Sequence, residues 1–179
     1  MRSPAVAASV LAAIALSSGA AAHARPIESP TFSVGPADFT SMQGVAAGLD
    51  GTVVFVYADG GGDTFTQWTS ATGTPLAPAL RISGSVGFRR VAPDGNGGSI
   101  VGYSRFVVAE NESHLFARRL DAKGIPIGAE LRVDVGAGEV SPYAWGIGGL
   151  SPGFAFVWYQ AGEVRVRVFD QDGSPRTAP

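Results

Sequence analysis

Few residues in this chain could carry chemistry. It has no cysteine and two histidines, His23 and His114. That excludes thiol catalysis and a histidine pair for zinc. His114 follows Ser113, but neighbours on a strand point to opposite faces, so the two do not form a base and its nucleophile. The expectation is a solvated histidine at the start of the strand "SHLFARRL". Carboxylates are scattered. Asp59 and Asp63 bracket "DGGGD", and Asp94 opens "DGNGG" beside Asn96. Calcium requires about six to eight oxygens, several of them from carboxylates. Asp59, Asp63 and Asp94 are where calcium would go, but turn chemistry alone accounts for all three, so no metal or cofactor is expected. Paired carboxylates can also cleave glycosidic bonds. Here Asp50, Asp94, Asp121 and Asp170 recur at turn positions, as residues that serve a repeat would, and no catalytic residue is assigned.

Binding is the better case. Three tryptophans, Trp68, Trp145 and Trp158, have the flat apolar faces on which sugar rings stack. Trp145 and Trp158 lie on apolar strand runs and read as core. Trp68, which alternates along its strand with Thr66, is expected to face outward as a ligand contact. Arg118 and Arg167 recur at matching positions and are candidate ligand contacts, a positive ladder to which Arg89 and Arg90 would add. The competing role for them is cross-strand pairing with carboxylates. "NES" at 111–113 has the form of a glycosylation sequon.

These residues sit on a repeat. Gly73, Gly124 and Gly173 lie 51 and 49 residues apart. Pro75, Pro126 and Pro175 follow them by two. Ser70, Asp121 and Asp170 precede them by three, and Gln67, Arg118 and Arg167 by six. Glycine supplies the positive φ of a tight hairpin, the Asp or Ser side chain accepts backbone N–H groups, and proline opens an edge-like strand. Upstream, "DGTVVFVY", "NGGSIVGY" and "SPGFAFVW" each run from a turn through an apolar strand to Tyr57, Tyr103 or Trp158. Gly102 stands where the others have valine, which implies close backbone packing.

The pattern predicts strands at 43–48, 52–57, 64–69 and 78–83, then 87–92, 99–104, 114–120 and 129–135, then 142–147, 153–159 and 163–169. The three units span about 43–83, 87–135 and 142–179. The last lacks its fourth strand, for which 30–35, within "ESPTFSVG", is the candidate. Repeats of about 50 residues with four strands each read as all-β, propeller-like antiparallel blades. The alternative is a β-sandwich of about twelve strands.

Residues 1–24 read as a signal peptide: Arg2, an apolar run too short to span a bilayer comfortably, and Ala22-His23-Ala24 before the cleavage point. Residues 25–179 form the repeat domain, with no further membrane span. The 13 basic residues less Arg2 leave 12 against 15 acidic ones. That balance argues against nucleic acid, which needs a basic stripe. About 155 residues suffice for one core without disulfides.

The run "LDGTVVFVY … QWTSATGTPLAPALRI" resembles the tandem propeller-type repeats of large bacterial secreted and surface proteins. Gln67, the Arg118–Asp121 run, Gly124, Pro126, Gly128, Glu130 and Val133 carry the resemblance, which covers most of 43–176. It implies fold and export and transfers no catalytic residue. The expected function is an exported, periplasmic or extracellular, non-enzymatic binding or adhesion module. Its ligand would meet loops at one end of the blades or a central channel, with a glycan or cell-surface component as the partner class. The alternatives are a propeller remnant without independent function and a secreted hydrolase. Three blades do not close a ring, since closed propellers have about four to eight. Self-association, membership of a larger propeller, or face-to-face packing would each resolve that.

Overall fold

Tight turns of one kind punctuate the chain, and the strands between them form the fold. The computed structural model describes residues 41–48, 51–84, 86–136 and 138–176, all belonging to one compact unit. The segment 1–24 expected to be a signal peptide, Asp50 and the candidate strand at 30–35 lie outside the described residues.

Among the described residues eleven strands run in order: β1 Ser41–Ala47, β2 Val53–Ala58, β3 Thr64–Thr69, β4 Leu80–Ser83, β5 Arg89–Pro93, β6 Ser99–Val107, β7 Glu112–Leu120, β8 Pro126–Arg132, β9 Val140–Gly149, β10 Phe154–Gln160 and β11 Glu163–Phe169. No helix occurs among the described residues. Each strand pairs antiparallel with its sequence neighbour, in three separate sheets: β1-β2-β3-β4, β5-β6-β7-β8 and β9-β10-β11. Three sheets replace the two of the sandwich alternative. The third holds three strands rather than four among the described residues; past β11, Pro175 makes only a single bridge to Phe169.

The glycine turns repeat in hydrogen-bond detail. Gly73, Gly124 and Gly173 have φ of 82°, 79° and 90°. Their N–H groups donate to the carbonyls of Ser70, Asp121 and Asp170 at 2.9, 2.9 and 3.0 Å. The Ser70 hydroxyl accepts from the N–H groups of Thr72 and Thr74, and Asp121 Oδ1 from those of Lys123 and Ile125.

Each sheet stacks on the next, with first strands β1, β5 and β9 adjacent. Between the first and second sheets lies a core of Val54, Val56, Trp68, Val101, Tyr103, Phe116 and Leu120. Between the second and third lies another, with Ile100, Leu115, Ala117, Trp145, Phe154, Phe156 and Trp158. Strands β6 and β7 alternate between the two, as strands covered on both faces must. At Gly102 an added Cβ would lie 2.7 Å from the Phe156 ring and 2.9 Å from Trp145, so the missing side chain is what lets the third sheet approach.

Predicted and observed strands differ most at two hairpins. The strand pattern leaves 105–113 as the connection between the two middle strands of the second unit. Instead β6 and β7 continue through it until Val107 pairs with Glu112, helped by Asn111 at φ 55°. β8 starts at Pro126, three residues earlier than predicted, and ends at Arg132.

Candidate functional site

The three sheets meet through their turns, and the two joints are built differently. At the joint of second and third sheets, the Gly173 turn sits over Leu131 and Arg119; a Cβ on Gly173 would lie 2.8 Å from Leu131 Cδ1 and 3.6 Å from Arg119 Cδ. Arg119 Nη1 donates to the Asp172 carbonyl at 2.8 Å, tying the two sheets. At the joint of first and second sheets, the Gly124 turn sits in the same way on Trp68, the residue in Arg119's repeat position. A Cβ on Gly124 would come within 2.3 Å of both Cδ1 and Nε1 of the indole.

Here the seam does not close. The Leu76 N–H still donates to the Trp68 carbonyl at 2.9 Å, but Pro78 cannot donate to a ladder, and the chain from Ala77 to Ala79 leaves β3 until β4 resumes pairing at Leu80. Gln67 spans part of the gap: its Nε2 donates to the Ala77 carbonyl at 2.6 Å. What remains is a cleft of about 620 Å³ lined by Thr66, Trp68, Leu76–Leu80 and Ala122–Ile125. That volume falls within the range of small-molecule sites. Two buried polar atoms at this wall, Trp68 Nε1 and Thr66 Oγ1, have no hydrogen-bond partner. Leu76 and Ile125 are more than half exposed at its margin.

Trp68 thus lies at 5% exposure rather than facing outward. It shares a face with Thr66, and the second sheet's turn covers that face. Trp145 and Trp158 are core; their indole N–H groups donate to the Pro142 carbonyl and to Gln160 Oε1.

The two candidate arginines do not form an exposed ladder. Arg167 Nη1 donates to the Val133 carbonyl at 2.9 Å and its guanidinium lies over Phe169. Arg118 is half-buried, its Nε lacking a partner. Neither guanidinium is paired across a strand with a carboxylate as expected; Arg167 bridges the second and third sheets instead. Arg89 is buried, donating to Thr64 Oγ1 and to the carbonyls of Gly62 and Val86. Arg90 lies over Trp145.

The carboxylates flagged for calcium already have partners. Asp59 Oδ1 accepts from the N–H groups of Gly61 and Asp63, and Asp94 Oδ1 from those of Asn96 and Gly98. Asp63 forms a two-point ion pair with Arg81, which holds its pKa below the usual carboxylate value.

A polar cluster that sequence patterning missed surrounds His114. The side chain is fully buried, not solvated, because the longer β6–β7 hairpin places it inside β7. Its Nδ1 lies 2.7 Å from Asp134 Oδ2, and Asp134, also fully buried, accepts the Leu115 N–H at 2.8 Å through Oδ1. His114 Nε2 is 3.2 Å from Glu110 Oε2, and Arg132 reaches both Glu110 and the imidazole. Both ring nitrogens are engaged, so the imidazole acts as a structural node. The available signal was Asp134, a carboxylate between the two valines of "VDV".

A second buried group, Tyr103, donates its hydroxyl to Glu130, which also pairs with Arg105 at 2.7 Å. Burial first, and then Glu130, push the Tyr103 pKa well above its ordinary value.

No protein-family model, curated protein or solved structure matches the chain.

Proposed function

We propose that the chain is an exported, non-enzymatic binding module built from propeller-type blades. The observation that carries binding is the open joint at Trp68. Its counterpart at Arg119 is closed by a hydrogen bond, whereas this one keeps an apolar cleft and two buried polar atoms without partners. Of the turn carboxylates weighed for glycosidic cleavage, Asp94 and Asp121 accept N–H groups of their own turns.

Propeller-type stacking is supported by the repeat positions. Tyr103 and Trp158 each face the preceding sheet, packed in the cores between sheets. Val56 and Gly102, one residue earlier, face the following sheet and are covered by it. Val157 holds that position on the third sheet. With its cross-strand partner Val166, and with Tyr159 and its partner Val164, it forms an exposed apolar face. Val164 is 72% exposed, while its repeat counterpart Leu115 is fully buried. Such a face suits a further sheet of the same kind, and a second copy of the chain would supply one. The strand at 30–35 remains our candidate for the outer edge of β11.

A glycan-binding variant rests on aromatics other than the three tryptophans. Tyr143, 67% exposed, meets Phe88 edge-on at 4.6 Å, and exposed rings of this kind can take a sugar face.

The test is a panel of glycans and hydrolase substrates offered to residues 25–179. Retention of a ligand without turnover is expected; turnover of any substrate contradicts the assignment.

A further inference from the structure

The open joint has a ligand chemistry of its own. Indole N–H groups only donate, and a hydroxyl can donate as well as accept. Trp68 Nε1 and Thr66 Oγ1 therefore together suit an acceptor oxygen. Neither polar group is shared with the closed joint, where Arg119 and Ala117 hold the equivalent positions. Leaving such groups buried and unpaired is unfavourable, so an oxygen reaching them gains more than it would at a hydrated surface. Lys123, exposed on the turn that forms one wall, adds a positive charge. The remaining lining is apolar: Leu76, Pro78, Leu80 and Ile125.

We propose that this cleft binds a small amphipathic carboxylate. Its apolar body packs between the Leu76–Leu80 segment and Ile125, and its carboxylate accepts from Trp68 and Thr66 under the field of Lys123. This rests on the binding-module assignment and names the ligand class for it.

Titration calorimetry of residues 25–179 with decanoate, decanol and methyl decanoate provides the test, using wild type, Trp68→Phe, Thr66→Val and Lys123→Met. Trp68→Phe keeps an aromatic ring and removes the donor; Thr66→Val keeps the shape and removes the hydroxyl. Decanoate is expected to bind more tightly than decanol. Trp68→Phe and Thr66→Val should each weaken decanoate about tenfold, as loss of a hydrogen bond to a charged group does. Lys123→Met should weaken decanoate and leave decanol unchanged. Urea midpoints show whether each variant is folded. Failure of the folded wild type to bind decanoate at millimolar concentration overturns the proposal. So does decanoate affinity indifferent to both donor substitutions, which would leave only a greasy groove. Conversion of methyl decanoate to decanoate would instead overturn the non-enzymatic assignment while leaving the cleft as a site, so the two failures are distinguishable.

Discussion

The seating of the Gly124 turn on Trp68 allows a controlled perturbation. Gly124 and Gly128 flank the same strand start and both have positive φ, 79° and 69°. Alanine at either must adopt the left-handed region, which costs about 1–2 kcal/mol. At Gly128 nothing lies within 4 Å of the added Cβ, but at Gly124 it would meet Trp68 at 2.3 Å. The indole is buried, so relieving the contact means shifting a packed ring or the turn itself, and over-packing adds about 1–3 kcal/mol. Gly124→Ala should therefore lose roughly 2–5 kcal/mol and Gly128→Ala about 1–2 kcal/mol. Urea unfolding followed by tryptophan fluorescence reads the difference; at an m-value of about 2 kcal/mol/M, the midpoints should separate by roughly 0.5–1.5 M. Trp68→Ala in the Gly124→Ala background should recover part of the clash as a coupling energy. Equal losses at the two glycines, or strict additivity with Trp68→Ala, would refute a turn seated on the indole.

Two further outcomes follow from the polar clusters. Asp134→Ala strands the Leu115 N–H and leaves His114 without its 2.7 Å partner; a loss of about 3 kcal/mol or more is expected in urea unfolding, and a loss under 1 kcal/mol would count against the node. Tyr103 has a folded pKa raised above its unfolded value of about 10. Its contribution to stability is therefore full below about pH 10 and falls as pH rises toward the folded pKa. Tyr103→Phe should flatten that alkaline decline, and an unchanged slope in midpoints measured from pH 9 to 11.5 would refute the assignment.

The strands were legible because turn residues and apolar runs are local. Gly73, Gly124 and Gly173 mark the same hydrogen-bonded turn each time, and Gly102 was readable as a close approach. What depends on stacking was not legible. Trp68 shares a face with Thr66, but whether another sheet covers that face is set by Gly124, more than fifty residues away in sequence. Sequence patterning puts His114 at a strand end because 105–113 reads as a connection; the pairing of β6 and β7 out to Val107 and Glu112, closed by a turn ending at Asn111, places it inside the strand instead. The arginine ladder failed for a related reason. A repeated position need not make repeated contacts, and Arg167 spends its donor on the Val133 carbonyl of a neighbouring sheet.

The central claim is that these sheets are blades of one repeat whose stacking continues beyond the third. Light scattering on the size-excluded chain of residues 25–179 tests it most directly, with Val164→Glu/Val166→Lys as the comparison. The expected result is a wild-type mass twice that of the chain, falling to one chain in the variant. A wild-type monomer, stable and soluble at high concentration with that valine face open, would contradict it.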